Sequence, residues 1–275
     1  MSWWALDIRA GAVGHDALAA WLVERTGQAV EEQDDGTIVT FAPDGDSADQ
    51  LTTAIAGYDR GASISRRPLD DLDWSVRWRD GLAPRHLGRL VIVPSWIPYD
   101  AAPHEAVVVI DPETAFGSGE HGSTRAALVL LERHLKAGDR VLDLGSGSGI
   151  LTIAAARLGA GSVVGIEIDA EAIPVAEKNA ARNDVLGNTE FVTADAAVAP
   201  LLGPADLVCS NILRIINEGL LPEIGLALRA GGKAIFSGMQ VGEADLFRPA
   251  LERAGFSVAD EAVDEEWWAV VGVRT

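Results

Sequence analysis

Asp143, the glycines at 145, 147 and 149, Glu167, Asn211 and His121 are the residues whose types and spacing point to chemistry. The segment Val141-Leu-Asp-Leu-Gly-Ser-Gly-Ser-Gly-Ile-Leu reads as a buried strand running through a glycine-rich turn into a helix. Such glycines let the backbone turn tightly and approach a ligand, and the helix that follows aims free N–H groups at it. The spacing argues against a dinucleotide. That fingerprint is G-x-G-x-x-G/A, whereas here the third glycine comes one residue early and Ile150 stands in its place. Glu167 closes the apolar run from Ser162, where two carboxylate oxygens suit the two hydroxyls of a ribose. A cap for a helix starting near Ala170 is the competing role, which Asp169 fills better. His121 lies in a loop of functional shape, where it either relays a proton or hydrogen-bonds the loop itself.

Alternating patterns predict the elements that must position these residues. Residues 1–70 read as strand 2–9, helix 15–26, strand 28–32, an Asp-Asp-Gly turn, strand 37–41, helix 47–58 and strand 62–67. That order, β-α-β-β-α-β, is the ferredoxin-like split unit. It holds no catalytic constellation, so it presents a face or an edge to a partner or serves as architecture. Trp3 and Trp4 must point to opposite faces, one to the core and one outward. Residues 71–105 read as a connector with a helix carrying Trp74 and Trp78 on one face. Short strands are expected at 90–93 and 106–110. From about residue 124 strands and helices alternate, with Gly203-Pro204 and Gly231-Gly232 as punctuation. Two final runs, 256–263 and 266–273, are too close for a crossover helix and must be antiparallel. Residues 106–275 thus form an α/β domain with a mostly parallel sheet.

Composition narrows the classes. No run of 18 apolar residues is present, so no membrane span is expected. A single cysteine, Cys209, excludes an internal disulfide and a cysteine metal cluster, so a reducing cytoplasmic setting and no metal are expected. Lys+Arg number 22 against 41 Asp+Glu, and a net charge of −19 makes nucleic acid a poor ligand; it either draws a basic protein or a cationic ligand or simply maintains solubility. A monomer is expected.

Gly-x-Gly-x-Gly after Asp143 resembles the first motif of class I S-adenosylmethionine (AdoMet) methyltransferases. Asp111-Pro-Glu-Thr-Ala-Phe-Gly-Ser-Gly-Glu-His-Gly-Ser-Thr124 narrows this, being similar to the D-P-x-x-A-F-G-T-G-x-H-x-T-T loop of the bacterial ribosomal protein L11 methyltransferases of the PrmA type. Gly165-Ile-Glu-Ile-Asp169, Asp206-Leu-Val-Cys-Ser-Asn-Ile-Leu213 and the Asp73-Trp74, Trp78-Arg-Asp80 connector agree with it. The resemblance implies a Rossmann-like seven-stranded sheet behind an N-terminal ferredoxin-like domain that grips a basic ribosomal protein, with AdoMet as cofactor and lysine side-chain amines, α-amines included in the class, as acceptors. It implies cofactor contacts from Phe116, Gly117, Ser118, Thr124, Asp143, Gly145, Gly147, Gly149, Ile150, Glu167, Ile168, Asp195 and Asn211. Asp195 would meet the adenine edge, or be a turn residue. Phe116 would pack over the cofactor on a lid flexing at Gly117 and Gly119.

Departures from the pattern fall in the loop and beyond the fourth strand. Ser118 and Ser123 replace threonines, Gly122 adds freedom, and Ile-Leu-Arg-Ile-Ile-Asn follows Asn211, which changes the rim that meets the substrate. The same catalytic domain on another protein or a small amine, and a non-catalytic AdoMet-binding module, are the alternatives. Amino-group transfer sets the demands on Asn211 and His121. A free lysine has a pKa of about 10.4, so holding it neutral at pH 7 costs roughly 4.6 kcal/mol, which a desolvated site beside a sulfonium lowers. What remains is to orient the amine, and Asn211, just past the fourth strand, can accept its N–H groups. Its competing role is to cap a helix before Ile212.

Overall fold

The computed structural model describes residues 3–26, 30–32, 35–68, 82–113 and 115–275, and the Trp74 and Trp78 helix expected in the connector lies outside them. The chain divides into two compact units, 1–81 and 82–275.

The first unit contains β1 (Trp4–Arg9), α1 (His15–Thr26), β2 (Glu31–Glu32), β3 (Ile38–Ala42), α2 (Gly45–Tyr58) and β4 (Ser63–Pro68). Its sheet runs β2-β3-β1-β4 with antiparallel neighbours, the ferredoxin-like order. Alternation decides the faces: Leu6 and Ile8 of β1 and Ile38 and Ala42 of β3 point to Leu18, Leu22, Leu51 and Ile55 of the helices. Asp44 starts α2 by accepting from the Ser47 amide at 2.7 Å. As adjacent tryptophans require, Trp4 packs on this core while Trp3 is exposed.

In the second unit β5 (Arg85–Leu87), β6 (Leu90–Pro94) and β7 (Ala106–Ile110) form a small sheet, with β6 and β7 parallel. Part of the stretch read as a connector therefore pairs with β7. There follow α3 (Gly122–His134), β8 (Arg140–Leu144), α4 (Ile150–Arg157), β9 (Ser162–Glu167), α5 (Ile173–Arg182), β10 (Thr189–Thr193), α6 (Ala199–Leu202) and β11 (Ala205–Asn211). The chain ends with α7 (Arg214–Ala227), β12 (Leu228–Gln240), α8 (Ala244–Arg253), β13 (Phe256–Asp264) and β14 (Trp267–Arg274). The seven-stranded sheet has the order β10-β9-β8-β11-β12-β14-β13, parallel through β12 and then antiparallel.

Both faces of this sheet are covered, which is why its strands are apolar throughout. Val141, Val163, Leu207, Cys209 and Ile235 face α3, α4 and the small sheet. Leu142, Leu144, Ile166, Val208 and Phe236 face α7 and α8. Successive strands are added outward from β8 in opposite directions, β9 on one side and β11 on the other. That reversal leaves a crevice at the carboxyl ends, the place where such sheets bind ligands. One punctuation mark is misplaced: Gly231-Gly232 lies within β12, where the pairing with β11 jumps from Ala205↔Leu228 to Leu207↔Lys233. The two glycines make a bulge because the extra residues must leave the ladder. Among the described residues no helix is long and apolar enough to cross a membrane.

Candidate functional site

A cleft of about 660 Å³ opens at the carboxyl ends of the strands. Its walls follow strand order, with Asp195 after β10, Glu167 and Ile168 after β9, Gly145 and Gly147 after β8, Asn211 after β11, Gly238 in β12 and Trp267 at the start of β14. Phe116, His121 and Ser123 come from the loop before α3 and its first turn. Of the residues named from the sequence, Phe116, His121, Gly145, Gly147, Glu167, Ile168, Asp195 and Asn211 line it together. Gly117, Ser118, Thr124, Asp143, Gly149 and Ile150 do not line it; all but the half-buried Ser118 are buried.

Asp143 is 1% exposed under the glycine turn, and its Oδ2 accepts from the Thr152 amide at 3.0 Å and the Thr152 hydroxyl at 2.7 Å, holding the first turn of α4. Its Oδ1 is buried without a partner. Burial pushes its carboxyl up to about 6 despite the two bonds from Thr152, with a smaller upward push from Glu167. Ile150 is the first residue of α4 and packs into the core, and Gly149 precedes it at φ +82°.

The glycine turn is fixed from two further sides. Glu167 accepts from the Gly147 amide at 2.8 Å and the Asp169 amide at 3.0 Å, so each oxygen keeps a lone pair for a ligand. Asp169 takes the Glu171 amide, capping the turn that leads to α5, which begins at Ile173 rather than near Ala170. Gly147, at φ +50°, faces the Phe116 carbonyl, which a Cβ would approach to 2.5 Å. Ser148 locks the same contact: its amide donates to the Phe116 carbonyl at 2.9 Å and its hydroxyl to the Gly117 carbonyl at 2.6 Å. Gly117 and Gly119, the hinge points expected of a lid, are points of close packing here, against Ser148 and Ile92.

Two residues that the sequence did not reveal anchor the start of this loop. Asn183, the cap just past α5, exchanges both amide bonds with Val109, at 2.7 Å each, finishing the edge of β7 as a strand would. Asn179, one turn earlier, accepts from the Asp111 amide and donates to the Asp111 and Ser148 carbonyls. The i, i+4 spacing of two asparagines on an otherwise amphipathic helix was the available signal.

On the far side of the cleft Asn211 donates from Nδ2 to the Thr124 hydroxyl at 3.2 Å, while its Oδ1 is buried with no partner. It caps no helix, since α7 begins at Arg214. The turn after it is held by Asn217, wholly buried, which accepts from Ser210 and donates to the Ile212 and Ser237 carbonyls. Gly238, at φ +82°, makes room for it: a Cβ there would stand 2.3 Å from the Ile212 carbonyl.

Trp267 is the principal wall residue missed. Its ring lies 4.2 Å from the His121 ring, which meets Phe116 edge-on at 5.3 Å, giving a row of three aromatic rings. His121 Nδ1 pairs with the Ser123 hydroxyl at 2.7 Å. Gly122 serves this packing; a Cβ would sit 2.6 Å from the Trp267 ring, so it supplies room instead of the freedom expected. Asp195 accepts from the Ala197 amide at 2.8 Å in a 3₁₀ turn and still faces the cleft. Beyond Asn211 the Arg214 guanidinium is drawn back to Glu218 and Glu243, leaving Leu213, Ile215 and Ile216 exposed on the rim.

Among known proteins, the family model described as ribosomal protein L11 methyltransferase (PrmA) matches residues 10–275. A ribosomal protein L11 methyltransferase of Thermus thermophilus is 41% identical over 199 residues, covering 72% of this chain and 76% of the relative. One from Geobacter sulfurreducens is 35% identical over 292 residues, covering 96% and 95%. The crystal structure of a ribosomal protein L11 methylase from Lactobacillus delbrueckii subsp. bulgaricus superposes with a TM-score of 0.65 at 32% identity, covering 70% of this chain and all of that one.

The buried Asp143 generates a prediction about stability. Its titration is moved from the ordinary 3.8 to about 6, so the folded protein binds the proton more tightly than the unfolded chain. This group's contribution is fully present below pH 3.8 and lost as pH rises through 6, a change of about 3 kcal/mol. In Asp143→Asn, whose amide oxygen can still accept from Thr152, that loss is absent. Melting the two proteins between pH 4.5 and 7.5 should therefore show the mutant gaining on the parent as pH rises; parallel curves would disprove an uncompensated carboxylate.

Proposed function

The chain belongs to the ribosomal protein L11 methyltransferase family, and from that premise we propose that it transfers methyl groups from AdoMet to lysine side-chain amines, and to α-amines, of ribosomal protein L11. The observation that carries the reading is the Asn211 Oδ1, an acceptor buried without a partner in the wall of the cleft. An unpaired buried acceptor costs about 1–3 kcal/mol, and an incoming N–H group removes that cost.

The residues present fit the cofactor. Glu167, with one lone pair free on each oxygen, would hold the ribose hydroxyls, Asp195 the adenine edge, and the bare backbone at Gly145 and Gly147 the methionine portion. Ile168, Leu213 and Ile216 offer apolar surface beside them. When bound, AdoMet supplies a methyl group on a cationic sulfonium. The chain's own part is to bring an uncharged nitrogen into line with it.

The acceptor half of the cleft suits that task by what it lacks. Among its described lining residues, the only carboxylates are Glu167 and Asp195, both on the β9 and β10 side. Around Asn211 the wall is formed by Phe116, His121, Ser123, Ile212, Gly238 and Trp267. A carboxylate there would stabilise the ammonium and raise its pKa. Aromatic faces attract the arriving cation more weakly, so that penalty is smaller, and the sulfonium then favours its deprotonation. Asn211 Oδ1 accepts one N–H and so aims the lone pair. His121, with Nδ1 committed to Ser123, holds the aromatic row in place.

The first unit, with Trp3 exposed beside its sheet, is the natural carrier of the protein substrate. Removing residues 1–81 should leave AdoMet affinity, measured by calorimetry, within about threefold and abolish labelling of L11. Full activity of the truncated protein would assign recognition to the second unit.

Transfer of labelled methyl from AdoMet to purified, unmethylated L11 tests the reading itself, and absence of transfer would refute it. In the same assay Asn211→Ala should lower kcat by about 100-fold, with AdoMet affinity and melting temperature little changed. Between pH 7 and 9 kcat/KM should rise in the parent and in the mutant alike, since the neutral amine reacts and Asn211 does not titrate.

A further inference from the structure

One buried guanidinium joins the first turn of α3 to the β13–β14 turn at the acceptor side of the cleft. Arg125, in the first turn of α3, is 7% exposed. Its Nε and Nη2 bind Asp264 at 3.0 and 2.5 Å in a two-pronged pair, its Nη1 donates to the Glu120 carbonyl, and Glu265 lies 3.3 Å from Nη2. Asp264 ends β13 and Trp267 begins β14, so the clasp grips the turn that delivers Trp267. The turn bears a visible constraint: Glu265 sits at φ +54°, a left-handed conformation unfavourable for a residue with a Cβ. The other end of the clasp is the loop that carries His121, whose ring packs on Trp267. The neighbouring Thr124 holds Asn211.

We infer that the Arg125–Asp264 pair is a positioning device for the acceptor side: by fixing the β13–β14 turn against α3 it sets Trp267 against His121 and so fixes the width of the space in which the amine meets Asn211. This rests on the methyl-transfer reading above. The geometry favours such a role over simple stabilisation because the pair is bidentate with its guanidinium buried, and because a Cβ at Gly122 would already collide with both Trp267 and the Asp264 carbonyl. The turn has no slack on that side. Without the clasp it can only move outward, carrying Trp267 away from His121. Nothing in the clasp touches the residues that would hold the cofactor, so the two halves should respond differently to its loss.

The test measures methyl transfer to purified L11 and AdoMet affinity by calorimetry for the parent, Asp264→Ala, Trp267→Leu and the double variant. Asp264→Ala should lower kcat/KM for L11 about tenfold, chiefly through KM, with AdoMet affinity within about threefold. Because Asp264 acts through Trp267, the double variant should be no worse than Trp267→Leu alone, a non-additivity that general destabilisation would not produce. Asp264→Asn, which keeps the side chain's shape, provides a second, milder variant should the alanine fail to fold, with a loss in the same direction. Retention of kcat/KM within about twofold in a folded Asp264 variant, an equal loss of AdoMet affinity, or losses that multiply in the double variant would overturn the inference. A parent that labels no L11 overturns the acceptor reading first, and the inference with it; a parent that labels L11 while the Asp264 variants do so equally well overturns the inference alone.

Discussion

The cleft depends on backbone meeting backbone. At Gly147 and Gly238 the chain approaches a carbonyl of another loop more closely than any Cβ allows, at Phe116 in one case and Ile212 in the other, both in left-handed conformations. These two contacts fix the loops before α3 and after β11 on either side of the glycine turn. Contact so close buries peptide groups outside regular structure, and each must find a partner. Ser148, Asn179, Asn183 and Asn217 supply them. Small residues at the approach points and amide side chains behind them are thus one solution to one problem. A cleft wall built this way is preformed, which limits what a ligand must organise on binding.

Much of this was legible in the sequence because the signals were local. The strands of both sheets carry their alternation or apolar runs, and the glycine turn, Glu167 and Asn211 stand at strand ends where function concentrates. What stayed hidden was contact between distant segments. Trp267 lies 146 positions from His121 in the chain, and only the closing of β14 against β12 brings the rings together. Trp267 and Trp268, adjacent like Trp3 and Trp4, also point to opposite faces: the Trp268 ring is core, 1% exposed against Phe247, and the Trp267 ring faces the cleft. Asp143 and Thr124 carry contacts that their motif positions do not announce: each also bonds another side chain, Thr152 and Asn211 respectively.

Asp143 also exposes a tension between stability and site. A buried carboxyl raised to about 6 is ionised at neutral pH against its own environment, and only Thr152 offsets this. The charge sits beneath the glycine turn. In a poorly screened interior a single negative charge is felt across several ångströms. The cost borne by the fold is then partly returned when a cation occupies the cleft, a linkage by which ligand binding stabilises the native state.

The distribution of charge across the cleft completes the argument. Carboxylates face it from β9 and β10 and are absent from the described wall around Asn211. A net charge of −19 draws a basic protein to the surface. The same charge, placed at the reacting nitrogen, would hold its proton and stop the chemistry. Attraction is therefore left to the exterior and to aromatic faces, and Asn211, the proposed acceptor, is a neutral amide. An amide suffices there because the reaction asks for orientation of a lone pair, and a stronger base would bring with it the negative charge that the site excludes.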